Sequence, residues 1–159
     1  MNPVDPATLT IRRAALDDLA EIVRLLADDE LGALREIYSL PLANAYTDAF
    51  VVINQDPNSE LYVAELEGRV IGTFQLNFLT YLGHQGRRVA QIEAVRIASE
   101  LRGRQLGGAM MKWAINRARE MNCHRIQLTT NKVRKEAHRF YERLGFTPSH
   151  EGMKLKLNR

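Results

Sequence analysis

The stretch AVRIASELRGRQLGGAMMKWA, residues 94–114, decides how the fold of this chain is predicted. A β-branched run ends at Ile97, and the segment 102–108 that follows contains two arginines and three glycines. An apolar repeat with helical spacing begins at Leu106. A strand that turns into a helix presents free backbone N–H groups at the positive end of the helix dipole. Because glycine allows a ligand to approach the main chain closely, the segment predicts an anion-binding site.

Two common nucleotide-binding motifs do not match this segment. A P-loop ends in Gly-Lys-Ser/Thr, and no lysine lies between Arg102 and Met111. A dinucleotide fingerprint needs Gly-x-Gly-x-x-Gly, which the sequence lacks. The predicted anion site is therefore neither a P-loop nor a dinucleotide-binding fingerprint.

The chain on either side of this stretch alternates between strand and helix patterns. Patterns typical of strands lie at 8–14, 61–66, 70–79, 89–97, 125–130 and 153–157. Helical spacing follows Asp17, Leu106 and Arg134. The strands at 89–97 and 125–130 flank a helix, and such a crossover requires the two strands to run parallel. We therefore expect an α/β or α+β fold with a mixed sheet of about six strands and helices on both faces.

Length and composition indicate one globular domain over residues 1–159. Hydrophobic residues make up 45% and charged residues 26% of the chain, which is typical of soluble proteins. The single cysteine, Cys123, has no intramolecular partner for a disulfide, which favours the cytoplasm. The sequence shows neither a membrane-spanning apolar run nor a signal-peptide pattern, so we expect no membrane association.

Charge is distributed unevenly, although the formal net charge is only +3. Residues 102–143 contain 11 Lys/Arg and 3 Asp/Glu, whereas residues 1–68 contain 4 Lys/Arg and 13 Asp/Glu. The basic segment raises the alternative of nucleic-acid binding. No helix-turn-helix or stacking-aromatic pattern supports that alternative, and the acidic half opposes broad binding of polyanions.

Two motifs resemble the GNAT superfamily of N-acetyltransferases. The segment 102–107 lies where the family has Gln/Arg-x-x-Gly-x-Gly/Ala, between its fourth strand and third helix. In the family this motif binds the pyrophosphate of acetyl-CoA. The segment AHRFYERLGF (137–146) resembles the family's Ala-x-x-x-Tyr-x-x-x-Gly-Phe. The resemblance covers nearly the whole chain. It implies a mostly antiparallel sheet of six to seven strands and direct transfer of an acetyl group from acetyl-CoA to an amine.

The resemblance also implies which residues bind acetyl-CoA. They are Val95, Ile97, Arg102, Gly103, Arg104, Gln105, Leu106, Gly107, Gly108, Asn131 and Arg134. In the family the fourth and fifth strands splay apart, and the N–H of Val95 is expected to donate a hydrogen bond to the thioester oxygen. Gln105 departs from the family's glycine. If main-chain N–H groups hold the phosphate, a side chain at this position is tolerable provided that its φ is negative and the side chain points away. A register shifted by two residues would take Leu106 out of the apolar stripe of the helix.

The catalytic residues implied by the resemblance are Tyr141 and Glu93. A tyrosine is protonated at neutral pH and can act as general acid towards the departing thiolate. Glu93 is the expected general base, directly or through a water. It has an alternative role as the ion-pair partner of one of three nearby arginines, at 87, 88 and 96. His84 is a second candidate base, because histidine titrates near neutral pH.

The remaining expectations concern the acceptor and partners. The acidic residues of the N-terminal segment would lie over the acceptor side, which favours a small cationic amine: Asp28, Asp29, Glu30, Glu36 and Asp48. A peptide amine is the alternative acceptor. The family resemblance implies a homodimer, and no residue cluster has metal-ligand spacing, so no metal is expected. The alternative function is a non-catalytic acyl-CoA-binding regulatory protein of the same fold.

Overall fold

The computed structural model describes residues 8–157. Short 3-10 turns at Leu16–Asp18 and Ser99–Leu101 join longer elements. These elements, in chain order, are β1 (Thr10–Arg13), α1 (Leu19–Ala27), α2 (Glu30–Ala33), α3 (Asn44–Gln55), β2 (Ser59–Leu66), β3 (Arg69–Thr80), α4 (Gly83–Gly86), β4 (Arg88–Ile97), α5 (Leu106–Glu120), β5 (Cys123–Gln127) and α6 (Lys135–Arg143).

The strands form one sheet in the order β1-β2-β3-β4-β5. The first four strands are antiparallel neighbours, and β5 pairs with β4 in parallel through the α5 crossover. β2 and β3 form a hairpin whose turn contains Glu67 and Gly68, both with positive φ. The expected mixed, mostly antiparallel sheet with a parallel strand-helix-strand unit is therefore confirmed.

The expected number of strands, six to seven, is wrong, because residues 8–157 contain five. The segment 153–157, which alternates like a strand, forms none. Its apolar side chains at Met153, Leu155 and Leu157 are 84–96% exposed. Alternation decides which side chains share a face, but a strand forms only where a neighbouring edge takes its backbone hydrogen bonds.

Helices cover both faces of the sheet. On one face, α5 buries Leu106, Met110 and Ala114 against the sheet. On the other face, Ile22 and Val23 of α1 pack together with residues of α3 and β2. Full burial of one large apolar side chain contributes roughly 1.5–3 kcal/mol, so these two clusters fix the positions of the helices.

Two largely buried carboxylates connect the elements. Glu60 of β2 accepts hydrogen bonds from the Arg117 guanidinium at 2.7 and 3.0 Å, and the Tyr62 hydroxyl donates to it at 2.6 Å. Burial alone would raise the pKa of Glu60, but these bonds outweigh it and lower the pKa. Asp18 accepts two bonds from Arg12 at 2.7 and 2.9 Å, which is the main cause of its lowered pKa.

Candidate active site

An open cleft of about 440 Å³ lies between the second half of β4 and the start of α6. Four of the residues expected to bind the cofactor line it, namely Val95, Ile97, Arg102 and Arg134. The remaining lining residues are Asp29, Arg96, Val133, Lys135, Glu136 and Ala137. The cleft therefore joins chain segments that are far apart in the sequence.

The cleft exists because β4 is longer than its parallel partner. The paired residues of β4 run only from Arg88 to Gln91, opposite β5 residues up to Gln127. β4 continues to Ile97. This second half of β4 has no strand beside it on the β5 side, which leaves backbone groups there available to a ligand.

A β-bulge lies in the second half of β4. The pairing with β3 shifts between Thr73 and Gln75, so that one more residue is present on β4 than on β3. Ala94 has a φ of 55°. A bulge leaves one residue out of the ladder and redirects its neighbours. The bulge immediately precedes Val95, the residue expected to donate its N–H to the thioester.

The loop before α5 turns through two residues with positive φ. Gly103 has a φ of 80° and Gln105 a φ of 63°. The condition of a negative φ at Gln105 is therefore not met. Gln105 is the N-cap of α5 in a left-handed conformation, and the helix begins directly afterwards with Leu106. Leu106 is 1% exposed, so the register that keeps it in the apolar stripe is the one observed.

The three glycines of this segment have different surroundings. A Cβ atom at Gly107 would lie 3.4 Å from the ring of Phe140, an ordinary van der Waals contact between α5 and α6. A Cβ atom at Gly103 or Gly108 would meet nothing within 4 Å. These two glycines therefore leave open space beside the start of α5, whose first N–H groups have no partner within the helix. Arg104 lies half-buried in the same loop.

Arg102 connects the end of β4 with the end of α1. Its guanidinium donates to the carbonyl of Ile97 at 3.2 Å and to the carbonyl of Asp28 at 2.7 Å. The Asp28 carboxylate in turn accepts hydrogen bonds from the N–H and the hydroxyl of Ser99 at 2.8 and 3.1 Å. The loop after α1 is thus fastened to one rim of the cleft.

Asp29 lies between two arginines at the opposite rim. Both of its oxygens accept hydrogen bonds from Arg134 at 2.8 Å, and one lies 3.5 Å from Nε of Arg96. It also accepts the N–H of Gly32 at 2.6 Å, which caps α2. Burial works to raise the pKa of Asp29, but the bonds from Gly32 and Arg134 outweigh it and lower the pKa.

The Asn131 side chain stabilises the turn before α6. Its amide oxygen accepts the N–H of Val133 at 3.1 Å, and its backbone carbonyl lies 3.2 Å from Nε2 of His138. Asn131 is exposed and does not line the cleft. Arg134, three residues later, is the N-cap of α6 and does line it.

Tyr141 lies in α6 and packs against the rings of Phe140 and Phe146. Burial raises the pKa of the Tyr141 hydroxyl, and the negative charge of Glu93 raises it further. The positive charges of Arg96 and Arg134 oppose this increase. Tyr141 therefore lies within electrostatic range of Glu93 and of two arginines that line the cleft.

Glu93 is held in place by neutral amides. Its Oε1 accepts a hydrogen bond from Gln91 at 2.8 Å, and the amide oxygen of Gln91 accepts one from Gln127 at 2.8 Å. Among the described residues Arg96 pairs with Asp29, so the proposed ion pair between Arg96 and Glu93 is not observed. His84 lies exposed beyond the start of β4, with its ring 5.9 Å from that of His124.

Comparisons with known proteins agree with this geometry. The profile described as Acetyltransferase (GNAT) family matches residues 21–146. The chain belongs to the GNAT family of acetyltransferases. An aminoalkylphosphonate N-acetyltransferase from Salmonella typhimurium is 32% identical over 106 residues, which are 67% of this chain and 68% of that protein. An uncharacterized N-acetyltransferase from Escherichia coli is 28% identical over 152 residues, which are 92% of this chain and 86% of that protein.

A solved structure that is more similar in sequence to this chain belongs to a transcriptional regulator rather than to a named acetyltransferase. The crystal structure of a transcriptional regulator from Bacillus halodurans C-125 is 48% identical and has a TM-score of 0.91. The match covers 94% of this chain and 99% of that chain. The GNAT fold of the present chain therefore has a close structural counterpart along almost its full length.

Membership in the GNAT family makes this chain an acetyltransferase, and the family uses acetyl-CoA. Sequence reasoning named Asp29 only as part of the acidic N-terminal segment and Arg96 only as a possible partner of Glu93, and it did not predict that both line the cleft. The charges of these residues can be read from the sequence, but Asp29 and Arg134 are 105 residues apart and no local pattern connects them.

Within residues 8–157, no helix has the length and apolar character needed to cross a bilayer. The same residues contain no group of three or more His, Cys, Asp or Glu placed to hold a metal ion.

Proposed function

We propose that this protein transfers an acetyl group from acetyl-CoA directly to the amine of a small acceptor that is cationic in solution. The observation that carries the proposal is the cleft beside the unpaired second half of β4, which Val95, Ile97, Arg102 and Arg134 line. The charges of Glu93, Arg96 and Arg134 all act on the Tyr141 hydroxyl, which supports a proton donor and a proton acceptor near this groove. The proposal further takes the protein to be a single domain that acts in the cytoplasm as a homodimer.

The cleft residues fit the chemical groups of acetyl-CoA. The first N–H groups of α5, next to Gly103 and Gly108, suit a pyrophosphate. Arg102 and Arg134 add positive charge on either side. The unpaired second half of β4, from Val95 to Ile97, offers backbone partners for the amides of the pantetheine arm. Arg104 and the main chain of Gln105, in the same loop, remain proposed contacts, as do Leu106, Gly107 and Asn131.

Acetyl-CoA bound in the cleft would supply a thioester whose carbonyl carbon is attacked by the acceptor nitrogen while the carbon–sulfur bond breaks. Glu93 takes the proton from the acceptor ammonium, directly or through a water. Tyr141 gives its hydroxyl proton to the departing thiolate, and the resulting phenolate regains a proton from the attacking nitrogen, which loses its second proton as the amide forms. The raised pKa of Tyr141 keeps it protonated at neutral pH before the reaction. The N–H of Val95, after the bulge, stabilises the negative charge on the thioester oxygen.

The acceptor side of the site is the face covered by α1 and α2. Asp28 and Asp29 of this face are bonded to Ser99 and Arg134, and Glu36 accepts the Tyr46 hydroxyl at 3.0 Å. The exposed carboxylates at Glu30 and Asp48 remain to attract an ammonium group. A small acceptor agrees with the aminoalkylphosphonate N-acetyltransferase to which the chain is similar. A peptide amine is the alternative.

The test is thiol release from acetyl-CoA over a library of amines, with wild type and Tyr141→Phe. We expect kcat to fall about 10²- to 10⁴-fold, because that is the usual contribution of a general acid, while KM for acetyl-CoA changes little. Tyr81→Phe, at an exposed tyrosine outside the cleft, is the matched control. Unchanged turnover of Tyr141→Phe would refute the role of Tyr141 as general acid.

A second function is favoured by one comparison. The Bacillus halodurans structure of a transcriptional regulator shares 48% of its residues with this chain. A regulatory protein would bind acyl-CoA and turn over no amine. Tight binding of acetyl-CoA by calorimetry, together with absence of thiol release across the whole amine library, would support this second function over the first.

A further inference from the structure

The guanidinium of Arg96 is incompletely satisfied. Its side chain is 15% exposed, and its Nε is the one buried side-chain nitrogen or oxygen of the described residues that lacks a hydrogen-bond partner. Its Nη1 donates to the carbonyl of Val95 at 2.9 Å. The nearest carboxylate oxygen, on Asp29, is 3.5 Å from Nε and does not complete a hydrogen bond. A buried donor of this kind is rare in folded proteins and indicates a missing partner.

Asp29 is shared between Arg96 and a second arginine, Arg134. Its two oxygens already accept Arg134 at 2.8 Å each and the N–H of Gly32 at 2.6 Å. The positive charge around Arg96 is therefore only partly balanced. The cleft is lined by four cationic side chains and only two carboxylates, Asp29 and Glu136, and Glu136 is exposed.

The Arg96 side chain lies on the face of the sheet opposite to α5. Neighbouring residues of a strand point to opposite faces, so the Arg96 side chain points away from those of Val95 and Ile97. Val95 and Ile97 pack into the core cluster that contains α5. Arg96 instead meets Asp29, in the loop that joins α1 and α2. This places its guanidinium on the side where the acceptor is proposed to bind.

We propose that Arg96 binds an anionic group of the acceptor, so that the preferred substrates are small amines that also carry a carboxylate, phosphonate or phosphate. The inference rests on the proposed acetyltransferase activity and assigns a substrate class to it. Such an acceptor is zwitterionic. Its ammonium is drawn by the exposed acidic residues, and its oxyanion pairs with the part of the Arg96 guanidinium that faces the cleft. A hydrogen bond between two ionised groups is among the strongest available in a protein.

The experiment compares matched acceptors that differ in the anionic group. β-Alanine is paired with β-alaninamide, and O-phosphoethanolamine with ethanolamine. For wild type we expect kcat/KM to favour the anionic member by about 10- to 100-fold, the range for a hydrogen bond to a charged group. Arg96→Met should reduce this preference to near unity and leave KM for acetyl-CoA unchanged. Since the readout is a ratio on one protein sample, it does not depend on the fraction that is folded.

A second variant moves the preference in the opposite direction. Asp29→Asn keeps an oxygen for the N–H of Gly32, because asparagine is a good N-cap. It removes the one negative charge next to Arg96, so the preference for the anionic acceptor should rise several-fold. Arg119→Met removes an exposed arginine on α5, outside the cleft, and should leave the preference unchanged.

The outcomes separate this inference from the proposed function. If wild type acetylates none of the amines, the proposed function fails. If it acetylates amines without preferring the anionic members, or if Arg96→Met lowers kcat/KM equally for both members, the inference is overturned and the activity stands. A rise in KM for acetyl-CoA with an unchanged preference would place Arg96 in the donor site and also overturn the inference.

Discussion

Replacing Gln105 by glycine should stabilise the protein. Gln105 has a φ of 63° and a ψ of −1° at the N-cap of α5. An L-residue with a Cβ loses roughly 1–2 kcal/mol in the left-handed conformation. Glycine avoids this strain but loses more conformational entropy on folding, which costs about 0.5–1 kcal/mol. The difference leaves Gln105→Gly more stable by about 0.5–1 kcal/mol.

The expected change is measurable by thermal and urea unfolding. For a domain of this length, 1 kcal/mol corresponds to about 2–4 °C in Tm, so Tm should rise by about 1–4 °C. The urea midpoint should increase without a change in the slope m. Gln105→Gly should also bind coenzyme A at least as tightly as wild type, because the main-chain N–H groups of the turn stay in place.

Gln105→Ala is the matched control. It removes the polar side chain but keeps the Cβ, so the strain at positive φ remains and Tm should not rise. If alanine stabilised the protein as much as glycine, the side chain rather than the backbone would be the cause, and the reasoning would be refuted. A fall in Tm for Gln105→Gly would refute it equally.

Two further predictions concern the buried carboxylates. Arg117→Met removes the closer of the two guanidinium partners of Glu60 and leaves Arg13 at 3.4 Å. It should destabilise the protein by about 1.5–3 kcal/mol, the range for a hydrogen bond to a charged group. Chemical denaturation measures this loss, and Glu60→Gln combined with Arg117→Met should recover most of it. The pKa of Asp18 is lower in the folded protein than in the unfolded chain, so its stabilising effect is complete above about pH 4 and is lost as the pH falls further. Asp18→Asn should flatten the dependence of stability on pH in that range, and an unchanged slope would contradict the role given to Arg12.

The sequence was sufficient wherever the determining pattern is local. The apolar spacing from Leu106 predicted the buried stripe of α5, and the crossover around it predicted a parallel strand pair. The stretch 94–114 and the tyrosine motif at 137–146 identified the family that the profile match confirms. Local alternation failed at 153–157, because a strand also requires a neighbouring edge, and no residue of that segment encodes one.

Backbone conformations at the site were beyond prediction from residue type. Ala94 has a φ of 55° and Gln105 a φ of 63°, although neither alanine nor glutamine favours the left-handed region. Both positions lie next to groups proposed to bind the thioester or the pyrophosphate. Strain of this kind persists only where the surrounding structure imposes it, and it concentrates at functional sites.

The hydrogen-bond partners of a charged residue indicate its role in ligand binding better than the sign of its charge does. The acidic residues of the N-terminal half suggest attraction of a cation, yet Asp28 and Asp29 are bonded to Ser99, Arg102 and Arg134. These bonds neutralise part of their charge and fasten the acceptor-side loop to the cleft. The group left without a full set of partners is the cation Arg96. Acceptor selectivity should therefore follow the unsatisfied guanidinium more closely than the count of acidic residues, which is why paired acceptors with and without an oxyanion are the decisive substrates.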